Sequence, residues 1–222
     1  MTVDPAAPPK TAPTFQVPTD DRDLLAAKAG RVRFLAVPER RYLMIDGSGA
    51  PGDQQFRDAF AALYPVAYTL HFALKRRGAT ARVGALEGLY WFGEPGPLAA
   101  DAFASAQRDP SAWRWRLLLP VPAEATDDEV RLAFEEVRSK KSPPALELLR
   151  CEAWEEGRLA QVLHVGPYAA EPTTVALLHE AIASAGLRPR GCHHEIYISD
   201  PSRTAPERLR TVIRQPVERT AG

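Results

Sequence analysis

Gly191-Cys192-His193-His194-Glu195-Ile196-Tyr197-Ile198-Ser199-Asp200-Pro201 reads as a short strand that ends in a turn. Residues two apart on a strand project from the same face. His193, Glu195 and Tyr197 therefore line one face, and Ile196 and Ile198 line the other. An acid following two imidazoles, with a phenol one step along, suits a cationic or aromatic ligand or the movement of a proton.

Working outward, residues 82–92 have the same character: a strand with Glu87, Leu89 and Trp91 on one face, broken by Gly93-Glu94-Pro95. Aligning Trp91-Phe92-Gly93-Glu94-Pro95 with Tyr197-Ile198-Ser199-Asp200-Pro201 makes Trp91 and Tyr197 counterparts, a pair able to sandwich a flat aromatic ligand by offset stacking. Apolar runs at 31–36 and 41–45 precede the first acidic strand and end in Asp46-Gly47-Ser48-Gly49-Ala50-Pro51-Gly52-Asp53, a dense turn signal. A helix capped by Asp53 follows, kinked or restarted at Pro65 and closed by Lys75-Arg76-Arg77-Gly78.

Residues 98–111 are Ala-rich, a short helix or an irregular loop, and 113–121 form a strand. Thr126-Asp127-Asp128-Glu129 caps a helix that runs to Lys141. In the second half, 146–154 and 158–165 read as two strands of a hairpin turned at Glu155-Glu156-Gly157. An amphipathic helix with Val175, Leu178 and Ile182 comes next, then the quoted strand and a last one at 211–217.

Both halves thus run strand, Gly/Pro turn, helix, acidic strand, break, strand. The expected fold class is α+β: tandem pseudo-symmetric βαββ-type modules forming one antiparallel sheet, with two main helices and a central ligand groove at the seam. Residues 1–20, crowded with Pro, Ala and Thr, are expected to be an extended tail or surface arm. The domain proper spans 21–222, with halves at about 31–122 and 146–218.

Composition narrows the function. The chain has 222 residues, 45% hydrophobic and 25% charged, enough to bury a substantial core. Basic and acidic residues balance at 28 each, which gives no electrostatic footprint for direct nucleic-acid binding. No apolar run approaches the roughly 18 residues needed to span a membrane. Two cysteines make no disulfide framework, so a soluble cytoplasmic protein with reduced thiols is expected. Adjacent residues in Cys192-His193-His194-Glu195 point to opposite faces, so at most His193 and Glu195 could share one ion, and no other spaced ligand set completes a metal site. No phosphate-binding glycine loop or dinucleotide fingerprint is present, so no cofactor is expected.

Several stretches resemble the GyrI-like small-molecule-binding family: Tyr42-Leu43-Met44-Ile45-Asp46-Gly47, Ala67-Tyr68-Thr69-Leu70, Leu86-Glu87-Gly88-Leu89-Tyr90-Trp91, His164-Val165-Gly166-Pro167-Tyr168 and the 194–201 strand and turn. So does the tail from Arg203-Thr204-Ala205-Pro206-Glu207 through Ile213-Arg214-Gln215-Pro216-Val217. The resemblance implies two α+β modules with a ligand groove between them, and flat hydrophobic or aromatic small molecules as partners. Relatives include drug-sensing domains of multidrug regulators; the first twenty residues form no helix-turn-helix, so a one-chain regulator is not expected. Stand-alone members of this length resemble cyclopropanoid cyclopropyl hydrolases, which open the cyclopropane of DNA-alkylating compounds with water and so protect the cell.

That resemblance assigns Glu195 as the base toward water, and Tyr197 as a donor to the oxygen that gains charge or as a group that orients the water. Trp91, Glu87, Tyr68, Tyr168 and His193 form the candidate ligand-binding set. Two other readings stay open. The groove only sequesters or senses flat hydrophobic or cationic drugs, with Glu195 pairing with a cation or with Arg214, or the domain binds a protein target.

Overall fold

Two 16-residue strands, β1 (Arg33–Ser48) and β4 (Arg150–Val165), carry the architecture. The computed structural model describes residues 13–98 and 110–220; the expectations for residues 1–12 and for 99–109 of the Ala-rich stretch lie outside the described residues. After a short helix α1 (Asp21–Leu24), β1 leads into α2 (Gln54–Arg76), β2 (Leu86–Phe92) and β3 (Trp113–Pro120). Helix α3 (Asp127–Lys140) joins the halves. The second runs β4, α4 (Glu171–Ser184), a three-residue β5 (Leu187–Pro189), β6 (His193–Tyr197) and β7 (Arg210–Arg219).

Every pairing between these strands is antiparallel. The first module is ordered β1-β3-β2 and the second β4-β7-β6, with β5 on the edge of β7. Like then pairs with like: β2 with β6, and β1 with β4. These two seams close the strands into a ring, an antiparallel sheet folded into a barrel with α2 and α4 packed outside it. Closure leaves each module without an unpaired long edge.

Local chemistry explains most of the elements. Thr126 and Glu129 form a full capping box at the start of α3. Helix α2 buries Ala59, Ala62, Leu63, Val66, Ala67, Leu70 and Leu74 against the outer face of β1 and β3, each buried leucine contributing about 1.5–3 kcal/mol. It runs unbroken through Pro65, where a kink or restart was expected. Helix α4 packs Val175, Leu178 and Ile182 on Ala160, Val162, Ile213 and Val217. Ahead of α1, Phe15 meets Phe34 edge-on and Gln16 bridges to Leu35, so this part of the arm lies on β1.

Two expectations are corrected. The runs at 31–36 and 41–45 belong to one strand, and the hairpin at Glu155-Glu156-Gly157 does not exist: β4 passes straight through it. The turn signal misled because Gly157 adopts φ +71° inside the strand, close to Leu159, where pairing with β7 begins. Glu156, read as a solvated turn residue, is buried at 2% exposure.

Its partners explain why burial is tolerated. On the barrel's inner face Arg214 Nη1 donates to Glu156 Oε2 at 2.9 Å, and His194 Nδ1 to Glu156 Oε1 at 2.7 Å. His194 Nε2 lies 3.0 Å from Glu87 Oε2, and Arg214 also donates to Gln161 Oε1 and the Leu24 carbonyl. Burial pulls the His194 pKa down, but Glu156 and Glu87 outweigh it and raise it to about 9. Burial pushes Glu156 up, yet His194 and Arg214 hold it below the ordinary range.

Glu156→Gln removes the carboxylate that both Arg214 and His194 face and is expected to cost about 3–5 kcal/mol in urea unfolding. Because the folded pKa of His194 exceeds its ordinary 6.5, its stabilisation is full below that pH and is lost as pH rises through about 9. The wild type should therefore weaken over that window and the variant much less. Parallel pH curves would contradict the ion cluster.

Candidate functional site

The outer face of the β2–β6 seam is the floor of a cavity of about 1080 Å³ between α2 and the start of α4. One wall is a row of aromatic rings at four-residue spacing on α2, where side chains stack along one helix face. Phe56, Phe60, Tyr64 and Tyr68 follow one another with ring centroids 5.2, 5.8 and 6.1 Å apart. Tyr168, Glu171 and Pro172 form the opposite wall, and Ile198 to Pro201 and Ala50 to Gly52 form parts of the rim. Leu86, Tyr90, Trp113, Glu195 and Tyr197 complete the floor. Among the described residues, three carboxyl groups line the cavity, those of Glu171, Glu195 and Asp200, and no lysine or arginine does.

Glu195 is 7% exposed and held from both sides. His193, two residues away on the same face, places Nε2 at 3.1 Å from Oε1, and facing a carboxylate that nitrogen is the donor. Tyr197 donates its hydroxyl to Oε2 at 2.9 Å. Its one hydrogen being spent there, the 2.5 Å contact between the Tyr90 and Tyr197 hydroxyls is donated by Tyr90. The result is a chain, Tyr90 to Tyr197 to Glu195, with His193 on the other oxygen. Burial first, and then the negative Glu195, raises both tyrosines well above their ordinary pKa.

Gly88 makes the chain possible. It stands directly opposite Glu195 in the β2–β6 ladder. A Cβ there would lie 2.7 Å from Tyr90 Cε2 and 2.8 Å from its hydroxyl, so only glycine lets the phenol fold back to Tyr197.

Glu171 opens α4 and is 4% exposed, with Oε1 making no hydrogen bond. Burial first, then the charge of Glu195, push its pKa up to about 10, despite a hydrogen bond from Thr211. The helix start favours the anion by at most about 2 kcal/mol, too little to offset that burial. One carboxyl of the pair is therefore neutral at ordinary pH. Tyr168, facing both acids, is raised to about 12 by burial and their charge.

Of the residues singled out from sequence, the structure brings Glu195, Tyr197, Tyr68 and Tyr168 to the cavity. His193 stands behind Glu195, buried at 1%. Glu87 and Trp91 are on the opposite face. Glu87 belongs to the inner ion cluster, and Trp91 packs with Tyr42, Met44, Leu89 and Leu118. The counterparts were slipped by one residue, which exchanges the faces of a strand. With Gly88 opposite Glu195, the antiparallel seam relates Tyr90, not Trp91, to Tyr197. Arg214 faces Glu156, so it does not pair with Glu195. Sequence reading passed over Tyr90, Gly88, Glu171 and the Phe56–Phe60–Tyr64 row. Tyr90 and Gly88 were legible as the other face of the Glu87 strand, whereas Glu171 looked like an ordinary acid at a helix start.

Tyr42, Tyr64, Tyr90, Tyr168 and Tyr197, five of the six tyrosines, should ionise above the ordinary value of 10 in a spectrophotometric alkaline titration. Gly88→Ala should expel the Tyr90 ring and bring one of the five back toward that value. An unchanged titration in the variant would contradict the packing.

Comparisons with known proteins follow the same lines. The profile of the GyrI-like small molecule binding domain matches residues 31–218. No curated protein sequence matches the chain. Among solved structures, an uncharacterized conserved protein from Listeria innocua is 32% identical with a TM-score of 0.78, over 89% of this chain and 97% of that one. A hydrolase from Listeria innocua is 31% identical with a TM-score of 0.73, over 89% and 96%. The C-terminal domain of EcmrR, 13% identical with a TM-score of 0.52 over 86% and 98%, shares the fold alone. Among the described residues no helix is long and apolar enough to cross a membrane. The paired modules, the cavity on their seam and the match along 31–218 together show that the chain belongs to the GyrI-like small-molecule-binding domain family.

Proposed function

We propose that this protein is a cofactor-free hydrolase that adds water to a flat, hydrophobic electrophile, an activated cyclopropane of the DNA-alkylating cyclopropanoid class. The observation that carries this reading is the Glu195 carboxyl on the floor of an aromatic cavity, gripped at both oxygens by His193 and Tyr197. The 31% identity to a Listeria innocua hydrolase over most of both chains supports it.

The aromatic row on α2 and the Tyr168 ring offer stacking surfaces to a flat molecule, each such contact adding about 0.5–1.5 kcal/mol beyond area burial. Glu195 takes a proton from a water beside it, and the oxygen attacks the ring carbon. The ring bond breaks as its electron pair moves through the conjugated system to the carbonyl oxygen. His193 and Tyr197 fix the carboxyl in place, so that little reorganisation is needed at the moment of reaction. The reading sets the protein in the cytoplasm, consistent with two unpaired cysteines, where it would intercept such compounds before they alkylate DNA.

A second reading has its own support. Three carboxyl groups in an aromatic cavity, with no lysine or arginine among its described lining residues, also suit a flat cation, held without chemistry.

One substitution separates the two. Glu195→Gln should lower turnover of a cyclopropanoid by at least about a hundredfold while leaving affinity for a flat aromatic probe within about threefold. A wild type that binds the cyclopropanoid and leaves it intact contradicts the hydrolase and favours the binder.

A further inference from the structure

We propose that Glu171 is the proton donor of this site, sharing one proton with Glu195 and delivering it to the oxygen that gains charge as the ring opens. The proposal rests on the hydrolase reading and completes it. Ring opening needs a donor at the far end of the conjugated system as well as a base at the water.

The Tyr197 hydrogen is committed to Glu195, and that of Tyr90 to Tyr197. Glu171 stands differently. It lines the same cavity and is 4% exposed, its carboxyl is hydrogen-bonded with Glu195 and Thr211, and its buried Oε1 has no hydrogen-bond partner. The groups facing it are Glu195 on β6, Thr211 on β7, Tyr90 on β2, Tyr197 on β6 and Tyr168 from its own turn. None is cationic, and the Thr211 hydrogen bond and the helix start do not offset burial beside Glu195. The raised pKa of about 10 agrees with that count.

Atoms and charge balance. Water loses a proton to Glu195 and its oxygen bonds to the ring carbon. The ring carbon–carbon bond breaks, and its electrons end on the former carbonyl oxygen, which takes the proton of Glu171. The proton newly on Glu195 then passes to Glu171 across their contact, and the pair returns to one proton. One water has been added, and nothing is oxidised or reduced.

Glu171→Gln keeps the size and polarity of the side chain but removes its titrating proton. In the wild type kcat should fall as pH rises through about 10, where Glu171 loses that proton, below the value of about 12 for Tyr168. In the variant kcat should drop about a hundredfold with KM little changed, and the alkaline fall should vanish. A merely structural role would lower activity without removing that limb. Infrared spectroscopy of the wild type at neutral pH should show a protonated carboxyl band that Glu171→Gln erases. Absence of the band, or a variant with wild-type kcat and an intact alkaline limb, overturns the donor role alone. A wild type with no turnover overturns the hydrolase reading and the donor role together.

Discussion

The antiparallel pairing of β2 with β6 is the constraint on which the rest depends. It joins the two modules, places Gly88 against Glu195, and brings the Tyr90 and Tyr197 hydroxyls within 2.5 Å of each other. A pseudo-twofold arrangement requires only that like strands meet like. What breaks the symmetry is chemical: one strand contributes a glycine where the other contributes an acid. The vacancy on one side is occupied by a phenol that serves the acid on the other. A binding groove on such a seam comes with duplication, whereas a catalytic carboxyl needs the two copies to diverge.

Strand β6 also divides its charges by face. His193 and Glu195 point to the cavity side, and His194 points inward to Glu156 and Glu87. Neighbouring imidazoles thus serve separate purposes. One positions a carboxyl against a ligand cavity, and the other helps neutralise a buried carboxylate that Arg214 also holds. Such an inner cluster contributes little net stability compared with an apolar core, but it penalises any register in which its members lose one another. A one-residue slip of β6 would bury Glu195 in the barrel and turn His194 toward the cavity. The inner cluster therefore protects the register of the site.

Much of the architecture was legible in the sequence. Periodicity and capping placed α2, α3 and α4, and the order of elements implied tandem βαββ modules on one antiparallel sheet. Closure into a barrel was not legible, because it depends on which strands pair across the halves. Glu155-Glu156-Gly157 shows how local signals fail: its composition says turn, while the partners that hold Glu156 inside lie on β6 and β7, far along the chain. Within the site, Glu195 and Tyr197 followed from strand alternation, but the choice between the two faces of β2 needed the ladder register. Glu171 stayed hidden because only the tertiary fold buries it.

In the proposed hydrolase, Glu195 moves a proton from water rather than attacking the ligand itself. A single turnover of a cyclopropanoid in water labelled with heavy oxygen, followed by mass spectrometry of product and protein, tests it most directly. The account predicts one labelled oxygen on the opened carbon of the product and an unmodified Glu195. Label in the Glu195 carboxyl, or a covalent adduct on it, would contradict the account.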